Sequence, residues 1–343
     1  MNLKNRCLSL LVKSLSFPKI KTSAPSRILA VSTTALGDTL WTMPALESLR
    51  KSFPEAYLAI LTSHIGLEVV ENNPWTDASY LMQKSFNLWH HLRGQFDTII
   101  LFHASQRITL PLCATLGAAK IVGTKGMNKG LDHLLTDSVL YSGQHEIDRR
   151  LALVEKIGGK AHSKKLSFFF KPEEKKIFTG CWIALHPGAA DRYKCWPVEH
   201  FATLGNALKK EFPCNILITG NVRERSLMQE LAAQIPGSHL ADDSLSLRSF
   251  AGLLSGVDLL ICNDSGPFHL ACAVNTPAIG IYSPTHPSRC GPLICPSAIT
   301  VFKPRTCQPC LGRQCQQPFC LLQIGPNEVL QKALQHLKQK TLY

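Results

Sequence analysis

The stretch IALHPGAADRYKCWPVEHFATL (residues 183–204) decides the fold together with NDSGPFHLA (residues 263–271). In each case a short apolar strand leads into a turn of small residues, and the start of a helix follows. The free backbone N–H groups of such a turn can bind a phosphate or another anion. Lys194 adds a positive charge to the first turn, and Asp264 adds an acid to the second. The two turns therefore predict a nucleotide-linked ligand and a group-transfer enzyme.

The same alternation of strands and helices runs through the rest of the chain. Apolar strands are expected at residues 28–32, 57–63, 96–103, 118–123, 182–187, 215–220, 239–242, 258–264 and 278–284. Helices are expected at residues 39–51, 145–159, 197–211, 223–234, 246–256 and 266–274, with a last one from Pro326. Such alternation predicts an α/β fold in which parallel sheets carry helices on both faces.

The length of 343 residues exceeds what one hydrophobic core usually supports, so two domains are expected. Residues 166–180 contain several lysines, Pro172 and Gly180, and they are the predicted linker. The remaining predicted parts are a basic extension at residues 1–27, an N-terminal domain at 28–165, a C-terminal domain at 181–325 and a final helix at 326–343.

The net charge of +13 favours an anionic partner, which nucleic acid, a membrane surface or a phosphorylated substrate can each supply. Residues 1–27 contain basic and apolar side chains but no acid. They form either a basic amphipathic segment on an anionic membrane or a frayed tail. No basic stripe with interleaved aromatics supports nucleic-acid binding. No apolar run approaches the roughly 18 residues of a membrane span, so an integral membrane protein is not expected.

Several residues at strand ends are candidates for binding or chemistry. Asp38 follows Gly37 after the first strand, where a carboxylate either caps the helix or acts as a general base. Lys194 either neutralises a diphosphate or is a solvated loop lysine. Glu224 either accepts hydrogen bonds from ribose hydroxyls or favours a helix N-terminus.

The motif NDSGPFHLA adds a second group of candidates. Ser265 and Gly266 supply a hydroxyl and backbone N–H groups beside Asp264. His269 lies about one helical turn beyond Asp264, so it can contact the same ligand, although a lone histidine is usually structural.

A cluster of cysteines lies near the C-terminus: Cys307, Cys310, Cys315 and Cys320. Four thiolates can bind zinc, but only the first pair has the usual spacing. Structural zinc, reduced thiols packed in a loop and disulfides all stay open, and the absence of an export signal favours reduced thiols.

Four motifs occur in a fixed order: ILAVSTTALGDTLWTMPALESLRKSFP, LHPGAADRYKCWP, ITGNVRERSLMQELA and NDSGPFHLACAVNTPAIGIY. On these motifs the chain resembles glycosyltransferase family 9, the ADP-heptose:lipopolysaccharide heptosyltransferases, over residues 28–337. The resemblance implies a GT-B fold, in which two Rossmann-like domains face a central cleft and the C-terminal helix returns to the N-terminal domain. It makes residues 28–165 the acceptor-binding domain and residues 181–325 the nucleotide-sugar-binding domain. It also implies inverting transfer of L-glycero-D-manno-heptose from ADP-heptose to the inner core of lipopolysaccharide.

The resemblance assigns a role to each candidate residue. Asp38 would be the catalytic base, and Lys194 would stabilise the departing diphosphate. The donor site would comprise Gly37, Glu224, Asp264, Ser265, Gly266 and His269. No cofactor or metal is implied. Ser32 departs from the family, because relatives often have a basic residue there.

The implied partners are ADP-heptose and a lipid A–Kdo acceptor or its heptosylated form, with no nucleic acid. The implied location is cytoplasmic, at the inner face of the inner membrane. Two alternatives stay open: a family 9 transferase with another nucleotide sugar or acceptor, and a non-catalytic sugar-nucleotide-binding protein.

Overall fold

The computed structural model describes residues 3–15, 24–83, 86–103, 108–316 and 318–341. The chain divides into two compact units, Met1–Phe169 and Phe170–Tyr343. Each unit has its own parallel sheet and its own hydrophobic core, so the predicted α/β class is confirmed.

The N-terminal unit alternates strands with helices. Its strands are β1 (Arg27–Ser32), β2 (Tyr57–Thr62), β3 (Ala78–Leu81), β4 (Thr98–His103), β5 (Lys120–Lys125) and β6 (Asp137–Leu140). Its helices are α1 (Leu3–Leu15), α2 (Leu36–Leu40), α3 (Met43–Ser52), α4 (His64–Val70), α5 (Phe86–Leu92), α6 (Thr109–Thr115) and α7 (Glu146–Lys156). Within the described residues the strand order is β3-β2-β1-β4-β5-β6, which is the order of Rossmann domains.

The C-terminal unit repeats this topology. Its strands are β7 (Trp182–His186), β8 (Asn215–Ile218), β9 (His239–Leu240), β10 (Leu259–Asn263), β11 (Ala278–Tyr282) and β12 (Ala298–Phe302). Its helices are α8 (Val198–Glu211), α9 (Arg225–Gln234), α10 (Leu247–Leu254), α11 (Gly266–Ala273), α12 (Pro287–Cys290), α13 (Phe319–Leu322) and α14 (Pro326–Thr341). The order β12-β11-β10-β7-β8-β9 is the N-terminal order read from the opposite edge.

Continuous apolar runs form the central strands of both sheets. The last five residues of β1 and all five of β10 are buried, as helices on both faces of a parallel sheet require. The edge strands β3 and β6 are half-exposed or exposed along their length and lack such a run. They were not predicted, and neither was β12.

The helix predicted at residues 39–51 is wrong in its extent, because the structure has two helices there. α2 ends at Leu40, and α3 begins at Met43 with Pro44 in its first turn. A proline has no N–H to donate to the preceding turn, so it starts a new helix rather than continuing the old one.

The described part of the basic extension is helical and packed. α1 contacts α6, Val12 is buried, and the Asn5 Nδ2 donates to the backbone oxygen of Lys129 at 3.1 Å. The frayed-tail alternative is therefore wrong for residues 3–15. None of the helices described is long and apolar enough to cross a bilayer.

The last helix, α14, belongs to the core of the C-terminal unit. Val329, Ala333 and Leu337 recur every four residues, form one face of the helix and are buried. This face packs against α8 and the strands β11 and β12. The return of this helix to the N-terminal domain stays a prediction.

Candidate active site

The strand order of the C-terminal unit brings its two motif turns together. β7 and β10 are neighbouring parallel strands, and the order of the sheet reverses between them. Ligands of open α/β sheets bind beyond the carboxyl ends of the strands at this switch point. The turn at residues 187–197 follows β7 and α11 follows β10, so both motifs border that crevice.

Asn263, the last residue of β10, holds the first turn in shape. It is fully buried, and its Nδ2 donates to the backbone oxygens of Pro187 at 2.7 Å and Gly188 at 3.2 Å. Its Oδ1 accepts a hydrogen bond from the backbone N–H of Trp196 at 2.9 Å. A single side chain thus ties together both ends of the turn that contains Lys194.

Lys194 ends a short 3-10 turn, Arg192–Lys194, and forms an ion pair with Asp264. The Nζ donates to Asp264 Oδ2 at 2.6 Å, and the side chains are 21% and 5% exposed. Burial alone would lower the pKa of Lys194, but the negative charge of Asp264 outweighs it and the pKa is raised. The solvated-lysine alternative is therefore wrong: the structure has a largely buried, permanently charged ammonium at the switch point.

The start of α11 borders the same crevice. Ser265 is the N-cap residue and Gly266 the first helical residue, with Pro267 following. His269 is buried, and its ring packs edge-to-face on Phe268 with centroids 5.6 Å apart. Contact of Ser265, Gly266 and His269 with a ligand stays a prediction.

Glu224 lies against the glycine of the first turn. It ends the 3-10 turn Val222–Glu224, and its carboxylate accepts hydrogen bonds from the backbone and side-chain nitrogens of Asn221 at 3.0 and 2.6 Å. A Cβ added at Gly188 would overlap Glu224 Oε1. Burial raises the pKa of Glu224, against the opposing Asn221 backbone hydrogen bond. Glu224 thus starts α9, as one alternative proposed, and also borders the turn after β7.

His186, the last residue of β7, lies beneath Glu224. Its Nδ1 is 3.1 Å from the Thr219 hydroxyl, and its Nε2 is 3.7 Å from Glu224 Oε2. Burial lowers the pKa of His186 to about 4, so the ring is neutral at pH 7. The contact with Glu224 is therefore not an ion pair at that pH.

The N-terminal unit places Asp38 at the carboxyl end of β1. Asp38 follows Gly37 and is the third residue of α2, whose N-cap residue is Ala35 without a side-chain cap. The capping alternative is therefore wrong. The Asp38 carboxylate accepts hydrogen bonds from Thr34 Oγ1 at 2.7 Å and from Arg150 Nη2 at 3.2 Å.

Arg150 connects Asp38 to a second acid. Its side chain is fully buried, whereas that of Asp38 is 16% exposed. The Arg150 Nη1 donates to Glu146 Oε2 at 2.6 Å, and Arg149 donates to the same oxygen at 2.7 Å. Burial alone would raise the pKa of Glu146, but the two arginines outweigh it and lower the pKa to about 2. The arginine is held by Glu146 and in turn fixes one oxygen of Asp38.

Sequence analysis missed several of these residues. Glu146 and Arg150 stand four residues apart on a helix, a spacing that usually indicates an exposed ion pair. Only the fold shows that Arg150 is buried and that it contacts Asp38, 112 positions away. Asn263 lies in the motif NDSGPFHLA, but it is uncharged, and its charged neighbour Asp264 was predicted to bind a ligand instead.

The C-terminal cysteines are free thiols, of which Cys307 is exposed and Cys320 buried. Together with Cys310, Cys315 and Tyr193 they line a small pocket of about 40 Å³. Over the described part of the chain, no cluster of three or more His, Cys, Asp or Glu side chains is arranged to hold a metal ion.

The cysteine loop contacts the turn that contains Lys194. The Arg313 Nε donates to Asp191 Oδ1 at 2.8 Å, three residues before the lysine. This contact fastens the loop to the candidate donor site.

Comparison with known proteins gives one family. The family model of glycosyltransferase family 9 (heptosyltransferase) matches residues 85–320. The chain is 25% identical to lipooligosaccharide heptosyltransferase 2 of Campylobacter jejuni over 335 residues, which cover 90% of this chain and 98% of that protein.

Solved structures show the same fold. The E. coli ADP-heptose lps heptosyltransferase II has a TM-score of 0.76 at 20% identity, with 92% of this chain and 99% of that chain covered. The E. coli heptosyltransferase WaaC with ADP has a TM-score of 0.70 at 18% identity, with 92% and 100% covered. The GT-B fold class is thereby confirmed.

Proposed function

The chain belongs to glycosyltransferase family 9, and we propose that it transfers L-glycero-D-manno-heptose from ADP-heptose to the inner core of lipopolysaccharide. The observation that carries this proposal is the ion pair of Lys194 and Asp264 at the switch point of the C-terminal unit. A nucleoside diphosphate-sugar presents a diphosphate and sugar hydroxyls, which match an ammonium and a carboxylate held side by side. The names of the relatives supply the sugar and the acceptor.

The C-terminal unit would bind the donor. Lys194 and the N–H groups at the start of α11, beside Ser265 and Gly266, would hold the diphosphate. Asp264 would accept hydrogen bonds from the heptose, and Glu224 from the ribose. His269 would line the phosphate site, and Gly37 of the N-terminal unit would let the backbone approach the donor closely.

The N-terminal unit would activate the acceptor. Asp38 would accept the proton of the acceptor hydroxyl while the oxygen attacks the anomeric carbon of heptose. The bond between that carbon and the diphosphate oxygen breaks, and ADP leaves from the opposite face, so the configuration inverts. Lys194 would offset the negative charge that develops on the diphosphate, which is the role a metal cation has in other transferases.

The acceptor would be Kdo-lipid A or its heptosylated form. The phosphates and carboxylates of this lipid match the net charge of +13, and each basic residue near an anionic surface contributes about 1 kcal/mol to binding. We therefore infer a peripheral location at the cytoplasmic face of the inner membrane.

The test is release of ADP from ADP-heptose by the full chain, with Kdo-lipid A in one arm and its heptosylated form in another. GDP-mannose is the donor control. Release that depends on an acceptor supports the proposal and shows which acceptor is used. Acceptor-dependent release of GDP from GDP-mannose, without release of ADP from ADP-heptose, would refute it in favour of another transferase. No release from either donor, although ADP binds, would refute it in favour of a non-catalytic binding protein.

The role of Asp38 has its own test. Asp38→Asn is expected to reduce kcat by about 10²- to 10⁴-fold, with ADP binding nearly unchanged because Asp38 is not assigned to the nucleotide. The matched control is Asp137→Asn, an exposed aspartate on β6, which is expected to keep wild-type turnover. Wild-type turnover of the Asp38 variant would remove it as the base.

A further inference from the structure

Helices α1, α5 and α6 of the N-terminal unit enclose an apolar groove away from the residues assigned to catalysis. Its volume is about 320 Å³. Its walls are formed by Leu8 and Val12 of α1, by Phe86 and Trp89 of α5, and by Leu112 of α6 with Ile108 just before that helix. The two polar groups of its wall satisfy each other, because the Trp89 Nε1 donates to Thr115 Oγ1 at 2.7 Å. The groove therefore offers no free hydrogen-bonding group from this pair and fits a hydrocarbon chain.

Large apolar side chains at its rim are exposed to solvent. Phe86 is 73% exposed and Ile108 is 49% exposed; Leu10, which is on α1 but does not line the groove, is 68% exposed. A soluble surface rarely gathers several large apolar side chains beside an apolar groove unless something covers them. Phe86 and Ile108 mark the mouth of the groove as a contact surface.

The charge around the groove shows what kind of partner fits. The sequences of α1, α5 and α6 contain no aspartate or glutamate, and α1 contains Lys4, Arg6 and Lys13. The guanidinium of Arg93 lies over the ring of Trp89, 4.6 Å from its centroid. Helices that combine apolar side chains with basic residues and contain no acid are typical of segments that bind anionic lipid.

We propose that this groove, formed by α1, α5 and α6, holds an acyl chain of an anionic bilayer phospholipid and thereby attaches the N-terminal unit to the membrane. Arg6, which is exposed on α1, contacts the headgroups, and Phe86 and Ile108 enter the acyl region. The inference deepens the proposed function, since it names the surface that would bring the enzyme to a lipid acceptor. It does not require that sugar transfer occurs.

The experiment is vesicle sedimentation of the full chain with phosphatidylcholine alone and with added phosphatidylglycerol. We expect binding only to the anionic vesicles. Phe86→Ser and Ile108→Ser should each reduce the partition coefficient about tenfold or more, because each removes one apolar side chain from the lipid. Both residues are exposed, so the fold tolerates the change. The matched control is Leu140→Ser, which is 72% exposed on β6 of the same unit but outside the groove; it should bind as the wild type does.

A second measurement tests whether an acyl chain enters the groove. Phosphatidylglycerol brominated on its acyl chains should quench the fluorescence of Trp89, and Trp89→Phe should abolish the quenched component. Undiminished binding of both serine variants, or quenching that survives in Trp89→Phe, would overturn the proposal. Wild-type protein that binds no anionic vesicle would also overturn it.

The alternative ligand for this groove is the acceptor lipid. If phosphatidylglycerol does not bind, while Phe86→Ser raises the KM for Kdo-lipid A in detergent, the groove is an acceptor site and the bilayer proposal is wrong. Vesicle binding requires no ADP release, so failure of the transfer reaction and failure of this proposal give different results.

Discussion

Replacement of Lys194 by methionine separates the contribution of this residue to stability from its contribution to catalysis. Methionine keeps most of the length and apolar volume of the side chain but removes the ammonium. Asp264, which is only 5% exposed, is then left without its nearest positive charge. The variant therefore creates a buried uncompensated carboxylate in the C-terminal unit.

The expected loss of stability follows from the geometry of the pair. At an effective dielectric constant of about 20, charges 2.6 Å apart attract by about 6 kcal/mol, part of which offsets their desolvation. Loss of one partner of a buried pair usually costs about 3–5 kcal/mol. Since the Lys194 side chain is 21% exposed, we expect the lower end, about 3 kcal/mol, in the free energy of unfolding from urea denaturation.

The double variant Lys194→Met/Asp264→Asn is the control. It removes both charges, so most of the lost stability should return, to within about 1 kcal/mol of the wild type. Catalysis should not return, because neither group is left to act on the diphosphate and the sugar. We expect kcat for ADP release to fall about 10²- to 10³-fold in both the single and the double variant.

The proposed role of Lys194 requires that the double variant recovers stability but does not recover turnover. If the double variant recovers turnover along with stability, Lys194 is a structural residue and the diphosphate must be stabilised elsewhere. If the single variant unfolds at the wild-type urea concentration, the ion pair does not stabilise the unit as its burial indicates.

Three further changes test other parts of the site. Gly188→Ala should weaken ADP binding about tenfold, measured by calorimetry, because the added methyl group displaces the Glu224 carboxylate; unchanged affinity would remove Glu224 from the nucleotide site. Arg150 and Arg149 hold the pKa of Glu146 at about 2 in the folded chain, against 4.5 for a free glutamate. This carboxylate therefore adds about 3 kcal/mol to the free energy of unfolding above pH 4.5, which is lost as the pH falls towards 2. Glu146→Gln should remove this part of the pH dependence of stability. An unchanged pH dependence in Glu146→Gln would contradict that assignment. Burial lowers the pKa of His186 from 6.5 to about 4, so the unfolded chain takes up this proton at a higher pH than the folded chain does. The free energy of unfolding should therefore fall as the pH drops from 6.5 to 4. His186→Gln should lose this pH dependence in urea denaturation, and an equal dependence in both proteins would show that another group causes it.

The strands that were missed, β3, β6 and β12, are exposed or half-exposed over most of their length, although the exposed strand β9 was predicted. The buried strand β10 was predicted because LLICN is an uninterrupted apolar run. The strand β6 was missed because the residues of DSVL are exposed or half-exposed, so they form no such run. Edge strands owe their conformation to pairing with a neighbour that sequence does not identify.

Site prediction was limited by the same dependence on tertiary contacts. Asp38 and Lys194 stand in motifs that follow a strand, so local pattern was sufficient to name them as candidates. Arg150 needed the fold, because a buried arginine is stable only where several acceptors surround it. Those acceptors, Glu146 and Asp38, come from different parts of the N-terminal sequence, and no local spacing joins all three.

The two ion pairs differ in which partner is buried, and this difference supports the role proposed for one group in each unit. In the N-terminal unit the cation, Arg150, is fully buried and the acid, Asp38, is 16% exposed. In the C-terminal unit the acid, Asp264, is 5% exposed and the cation, Lys194, is 21% exposed. In each pair the more buried partner holds the more exposed one in place, and the more exposed one is the group proposed to act on the reacting atoms. One Rossmann topology thus presents a carboxylate in the first unit and an ammonium in the second, as proton removal and diphosphate departure respectively require.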